Sequence, residues 1–308
     1  MNANAQIYPT QHEVTRATPA VVSALRSFWT AGRRVERIGY AIGALLLASG
    51  LIHLALLLID GGSWEGPRSL RKAVTFGLSF GLTTLTIIWV STFLRLSERV
   101  RVWLLSVFTA ACVLETYLVS LQAWRGVPSH FNFETPFDAW VTRLLAVGGI
   151  TLVLILFALT FISFRRNVAV PLSLRLAVRV GFVALCGALI SGGLMIARGT
   201  QLVVAGNREA AYATGGALKP MHGALMHGIL VLPLLAWLLS FSPWSERRQL
   251  MMVTAAAHLP DRCRGSRRRE SHRRSWMTTS RFTPRAALST RPSRGLEGGF
   301  QGRHARGC

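Results

Sequence analysis

The chain has 308 residues, 51% of them hydrophobic, with a mean hydropathy of +0.37 and a formal net charge of +22. So basic a composition in a soluble domain would suggest nucleic-acid binding, but about half of the net charge falls after residue 258 and the earlier stretches are long and almost uncharged. A soluble nucleic-acid binder is therefore not expected, and the absence of a nucleotide-binding loop or a G-x-S-x-G elbow argues against common soluble dehydrogenases and hydrolases. The four cysteines, Cys112, Cys186, Cys263 and Cys308, have no metal or redox spacing, and no disulfide is expected.

Residues 1–37 form a segment expected on the cytoplasmic side. Within it, PAVVSALRSFW (19–29) sets Val21, Val22, Leu25, Phe28 and Trp29 at helical spacing, which predicts a short amphipathic helix on the membrane surface. About twenty apolar residues are needed to cross the hydrocarbon core. Six stretches meet that length: 38–59, 73–94, 103–121, 140–162, 177–197 and 221–241. Backbone polar groups cannot go unpaired in lipid, so each is read as a helix. The expected fold is all-α, a polytopic transmembrane bundle over 38–243. Small-residue pairs, Gly39 with Gly43 and Gly77 with Gly81, predict close helix packing. Beyond the spans, 247–259 starts like a seventh but stops short of the length required, as a truncated span would. The arginine-rich remainder has no hydrophobic periodicity, so 244–308 is expected to be a largely disordered basic tail. Anionic lipid is its expected contact.

Arginine and lysine are concentrated in the connections on the side of the N-terminus, including Arg33, Arg34, Arg37, Arg95, Arg99, Arg101, Arg165 and Arg166. This bias places both termini in the cytoplasm. The connections 60–72, 125–140 and 198–220 then face outward.

An ionisable side chain in mid-membrane costs about 2.5–3.5 kcal/mol on insertion scales. His53, Glu115, His222 and His227 are of this kind, and the topology puts all four in the outer half. Gln122 lies one heptad beyond Glu115 on the same face, and Arg71 opens the second span from the same side. Above them runs RGVPSHFNFETPFDAW (125–140). In it Thr135, Pro136 and Asp138 read as a helix start, whereas Arg125, His130 and Asn132 have no local structural task. Glu115, Gln122, Arg125, His130, Asn132 and Arg71 are therefore the candidate ligand contacts. His53, His222 and His227 are the candidate ligands of a divalent metal or a haem. His222 and His227 are five residues apart, about 140° around a helix, so they do not share a face. Haem ligation would pair one of them with His53.

Three segments, QAWRGVPSHFNFETPFD (122–138), HGALMHGILVLPLLAW (222–237) and GPRSLRKAVTFGLSFG (66–81), resemble a group of bacterial multipass integral membrane proteins without an assigned activity, over most of 38–243. The resemblance implies a bacterial cytoplasmic membrane and polar positions at Arg125, His130, Asn132, Asp138, His222 and His227. It brings no activity. The functional expectation is an outer-face site for a cofactor, metal or small ligand. The alternatives are a proton-coupled transporter using Glu115, or a structural or assembly protein with no ligand.

Overall fold

The computed structural model describes residues 17–64, 69–212 and 218–258. Along the chain come α1 (Ala17–Thr30), α2 (Arg34–Ile59), α3 (Arg71–Ser91), α4 (Glu98–Trp124), α5 (Pro136–Ser163), α6 (Leu172–Val204), the short α7 (Arg208–Tyr212) and α8 (Leu218–Leu239). A further helix, α9, covers 246–258. No strand occurs among the described residues. The arginine-rich stretch from 259 onward, expected to lack a core, lies outside them.

Helices α2, α3, α4, α5, α6 and α8 correspond to the six expected spans, and each is long and apolar enough to cross a bilayer. Their outer surfaces carry exposed Leu45, Leu58, Ile150, Leu154, Phe161 and Leu194, side chains that lipid accommodates and water does not. These are the features of a multipass membrane protein. Short connections alternate the helix directions. The bundle therefore has a near end, where α1 and the α3–α4 and α5–α6 connections gather, and a far end, which carries the α4–α5 connection.

Several helices run past the expected spans, and some carry arginines inside them. Helix α6 is the extreme case, at 33 residues. Its Arg179 caps the end of α5, donating to the carbonyls of Ser163 (3.1 Å) and Phe164 (3.0 Å).

Two helix pairs are packed most extensively, α2 with α3 and α6 with α8. In the first, glycines meet across the interface. A methyl group built on Gly77 would come within 2.6 Å of Gly50 Cα, and one on Gly50 within 2.5 Å of the Leu78 nitrogen. Backbone therefore touches backbone, which only glycine permits.

Helix α1 departs from expectation. Val22, Leu25 and Trp29 are exposed, as a surface helix requires, but Ala24 is buried. Phe28 enters an aromatic cluster, with ring centroids 6.2 Å from Trp89, 6.4 Å from Phe93 and 6.0 Å from Trp237. One face of α1 is thus committed to the bundle. Helix α9 also docks, with Val253 fully buried and Gln249 accepting from Ser173 at 3.3 Å. The start of the segment read as a basic tail is therefore packed helix.

The near end is tied by a buried ion pair. Arg101 of α4 and Glu36 of α2 are 3% and 2% exposed. Arg101 Nη1 donates to Glu36 Oε1 (3.2 Å) and to the Ser91 carbonyl (2.9 Å), and Nη2 to the Leu94 carbonyl (3.3 Å). Glu36 also accepts from the Arg33 amide at 2.9 Å, closing a capping box on α2. One guanidinium thereby holds α2, the end of α3 and α4 together.

Two outcomes are expected for detergent-purified protein. Gly77→Ala lowers unfolding stability by about 1–3 kcal/mol through overpacking, whereas Gly193→Ala, with nothing within 4 Å of the added methyl, changes it little. Arg101→Ala, which leaves Glu36 buried with a half-exposed arginine as its remaining partner, costs about 3–5 kcal/mol. Denaturant midpoints measure both.

Candidate functional site

The far end is organised by the way α4 stops and α5 starts. Helix α4 closes with Gly126 in the left-handed conformation (φ 66°). The Val127 amide donates to the Gln122 carbonyl and the Gly126 amide to that of Ala123, both at 3.1 Å, the pairing of a Schellman motif. Helix α5 begins as expected at Thr135, whose hydroxyl accepts from the Asp138 amide at 3.1 Å, with Pro136 in the first turn.

Asp138 does more than cap. Its Oδ1 accepts from Gln122 Nε2 (2.9 Å) and from Arg125, and its Oδ2 accepts from the Thr135 hydroxyl at 2.7 Å. Arg125 also donates to the Gln122 side-chain oxygen and lies over the Phe137 ring, 4.6 Å from its centroid. Gln122 and Arg125 are thereby engaged in a closed network that fastens α4 to α5. Asn132, fully buried, accepts from the Glu134 amide through Oδ1 (3.1 Å), and its carbonyl accepts from Thr142 (2.9 Å). Its Nδ2 is enclosed without an acceptor. Phe131 takes a positive φ of 61° and presses on Gly199 of α6, where a methyl group would collide with its ring.

His130 stands beside Phe76 and Phe131, 5.7 and 6.4 Å between centroids, and its Nδ1 is 2.9 Å from the Ser129 hydroxyl. Burial pushes its pKa from 6.5 down to about 4, with the Lys72 ammonium adding to the effect. The ring is neutral at pH 7. Arg71, the neighbour of Lys72, is half-buried at the start of α3.

The three membrane histidines have separate partners. His53 Nδ1 is 2.7 Å from the Ser49 carbonyl and its Nε2 is 3.0 Å from Trp124 Nε1. A carbonyl only accepts and an indole N–H only donates, so the proton sits on Nδ1 and the Nε2 lone pair is taken. His222 Nδ1 lies 2.8 Å from the Ala188 carbonyl and 3.2 Å from the Ser191 hydroxyl, against α6. His227 is exposed and turns Nδ1 to the Gly223 carbonyl of its own helix at 2.6 Å. Among the described residues no three His, Cys, Asp or Glu side chains come together as a metal ligand set.

Glu115 is different. It is 3% exposed, between α4 and α5, with its Oε1 against Gly148, where a methyl group would collide with it. The Gly149 backbone is near, and among the described residues no cation is. Cys112, one turn earlier, lies beside both Glu115 and Thr84 of α3. Glu115 Oε1 and, elsewhere on α4, the hydroxyls of Thr116 and Ser120 are buried without a hydrogen-bond partner. Three carboxylates are buried among the described residues, Glu36, Glu115 and Asp138. The first and third are paired with arginine; Glu115 is not.

The His130 shift has a definite pH signature. Between pH 6.5 and about 4 the unfolded chain takes up a proton that the folded ring refuses, so stability is lost as the pH drops through that window and the loss is complete near 4. His130→Gln is expected to flatten that part of the profile, read as melting temperature at steps from about pH 7 to 4.

Comparison with protein-family models, curated proteins and solved structures finds no match, so the likeness seen in three segments rests on those segments alone.

Proposed function

We propose that the protein is a membrane-embedded binding or translocation protein whose working group is the Glu115 carboxyl. The supporting observation is the contrast among the three buried acids of the described residues: two have arginine partners, and Glu115 has none among those residues. An ionised carboxylate without a counter-charge is costly in a low-dielectric interior. Such a group holds a proton or receives a hydrogen-bonding or cationic guest. Buried polar atoms in native proteins nearly always find partners, and Glu115 Oε1 is enclosed without one.

A metal or haem centre is less favoured by the same geometry. Both His53 nitrogens are committed, and His222 and His227 point to different partners. Gln122 and Arg125 contribute to the site by holding α4 and α5 in register above Glu115, and the loop 125–135 covers that end of the bundle. The side of the membrane it faces, on the arginine distribution, is the outside of a bacterial cytoplasmic membrane.

The test uses dicyclohexylcarbodiimide, which modifies protonated carboxyls in apolar surroundings. Wild-type protein in detergent at pH 7 is expected to be labelled at Glu115 and Glu115→Gln to be unlabelled, with both folding alike. Proteoliposomes of the wild type are expected to relax an imposed pH gradient, or to bind the ligand that a screen returns, several-fold better than the variant. If Glu115 is unlabelled and both proteins behave identically in liposomes, the carboxyl is structural and the reading fails.

A further inference from the structure

At the near end, α1, the α3–α4 connection and the α5–α6 connection border an open cavity of about 840 Å3. Its wall carries Arg33, Arg95, Arg101, Arg165 and Arg166 against a single acid, Glu36. That acid is already taken by Arg33 and Arg101. Arg95, Arg165 and Arg166 are exposed, and none of them makes a carboxylate contact among the described residues. Arg95 reaches only the Arg166 carbonyl, at 3.4 Å. Beneath them Arg101, though almost fully enclosed, keeps its Nε buried without an acceptor. At the same wall Ser97 starts the 27-residue α4, and its hydroxyl makes no cap hydrogen bond.

We infer that this cavity binds a phosphate-bearing anion gripped by Arg95, Arg165 and Arg166. Several guanidinia around one hollow repel each other until a counter-charge enters. Their planar forks match phosphate oxygens in pairs, and a helix N-terminus adds amide donors and a favourable dipole for an anion. The volume is that of a small-molecule pocket of a few hundred cubic ångströms or more, roomier than a lone phosphate requires. All three of these loop arginines line the one concavity. Two sources share the chemistry, an acidic phospholipid headgroup and free phosphate. The site is separate from Glu115 and stands without it.

Full-length protein purified in detergent is reconstituted into nanodiscs of phosphatidylglycerol and phosphatidylcholine, and retained lipid is counted by native mass spectrometry. In parallel, inorganic phosphate is titrated against thermal unfolding in detergent. The double variant R165Q/R166Q is compared with R247Q/R248Q, which removes the same charge from exposed positions of α9 that do not line the cavity. The first is expected to weaken binding by about tenfold or more, since two charge-assisted contacts are lost, and the second to leave it unchanged. Selective loss of retained phosphatidylglycerol identifies a headgroup; selective loss of the phosphate-induced shift identifies free phosphate. If neither probe binds, or if both variants weaken binding equally, the arginines act only as surface charge and the inference is overturned.

Discussion

Helix α4 carries charged and polar groups into the bundle at fixed intervals, and the other helices are arranged to receive them. Arg101, Phe108, Glu115 and Gln122 are seven residues apart and all buried. Seven residues fall about 20° short of two full turns, so the four form one slowly drifting stripe. Arg101 is met by Glu36 of α2 and by carbonyls at the end of α3. Gln122 is met by Asp138 of α5. Between them, Glu115 touches α5 through Gly148. A register change of α4 by one residue would swing all three polar groups away from their neighbours, and in a low-dielectric setting each unmatched group carries a large penalty. The near and far networks therefore fix the height and rotation of α4, and with it the place of the carboxyl in between.

The remaining helices contribute shape more than charge. Backbone contact at Gly50 and Gly77 brings α2 and α3 together, and Gly181 does the same where α6 meets Ile229 of α8. The far-end loop links the two halves, because Phe131 is seated on Gly199 of α6 while Asn132 and Asp138 belong to the α4–α5 side. A non-glycine residue at positive φ costs on the order of 1–3 kcal/mol and persists only where its surroundings hold it. Here the flat glycine surface beneath the ring does so.

The spans were legible because length and apolar content alone decide whether a helix can cross a bilayer. The helix start at Thr135 was legible because capping is local chemistry. Arg101 was not, since a charge-free window begins the third span at Trp103 and treats every arginine before it as loop. The heptad that links Glu115 to Gln122 runs back through Phe108 to Arg101, and that periodicity was the signal available. Partners across helices were out of reach for another reason. Trp124 as the donor to His53, or Gln122 and Arg125 as ligands of Asp138, depend on the rotation of one helix against another, which hydropathy does not encode. The histidines show the same limit: a shared depth says nothing about direction around the bundle axis, and His53, His222 and His227 turn to different neighbours. Helix α7, with five residues, is too short to leave a periodic trace.

The aromatic cluster around Phe28 bears on how the molecule is assembled. Phe28 belongs to the first described helix, Trp89 to the third and Trp237 to the last of the six spans. During synthesis α1 emerges long before α8, so its inward face has no complete receptor until the final span has been inserted and has packed. Docking of α1 is consequently a late event in biogenesis. Until then the face of α1 that carries Phe28 lacks the Trp237 side of its receptor. The seated Phe28 then marks a bundle whose last helix has arrived.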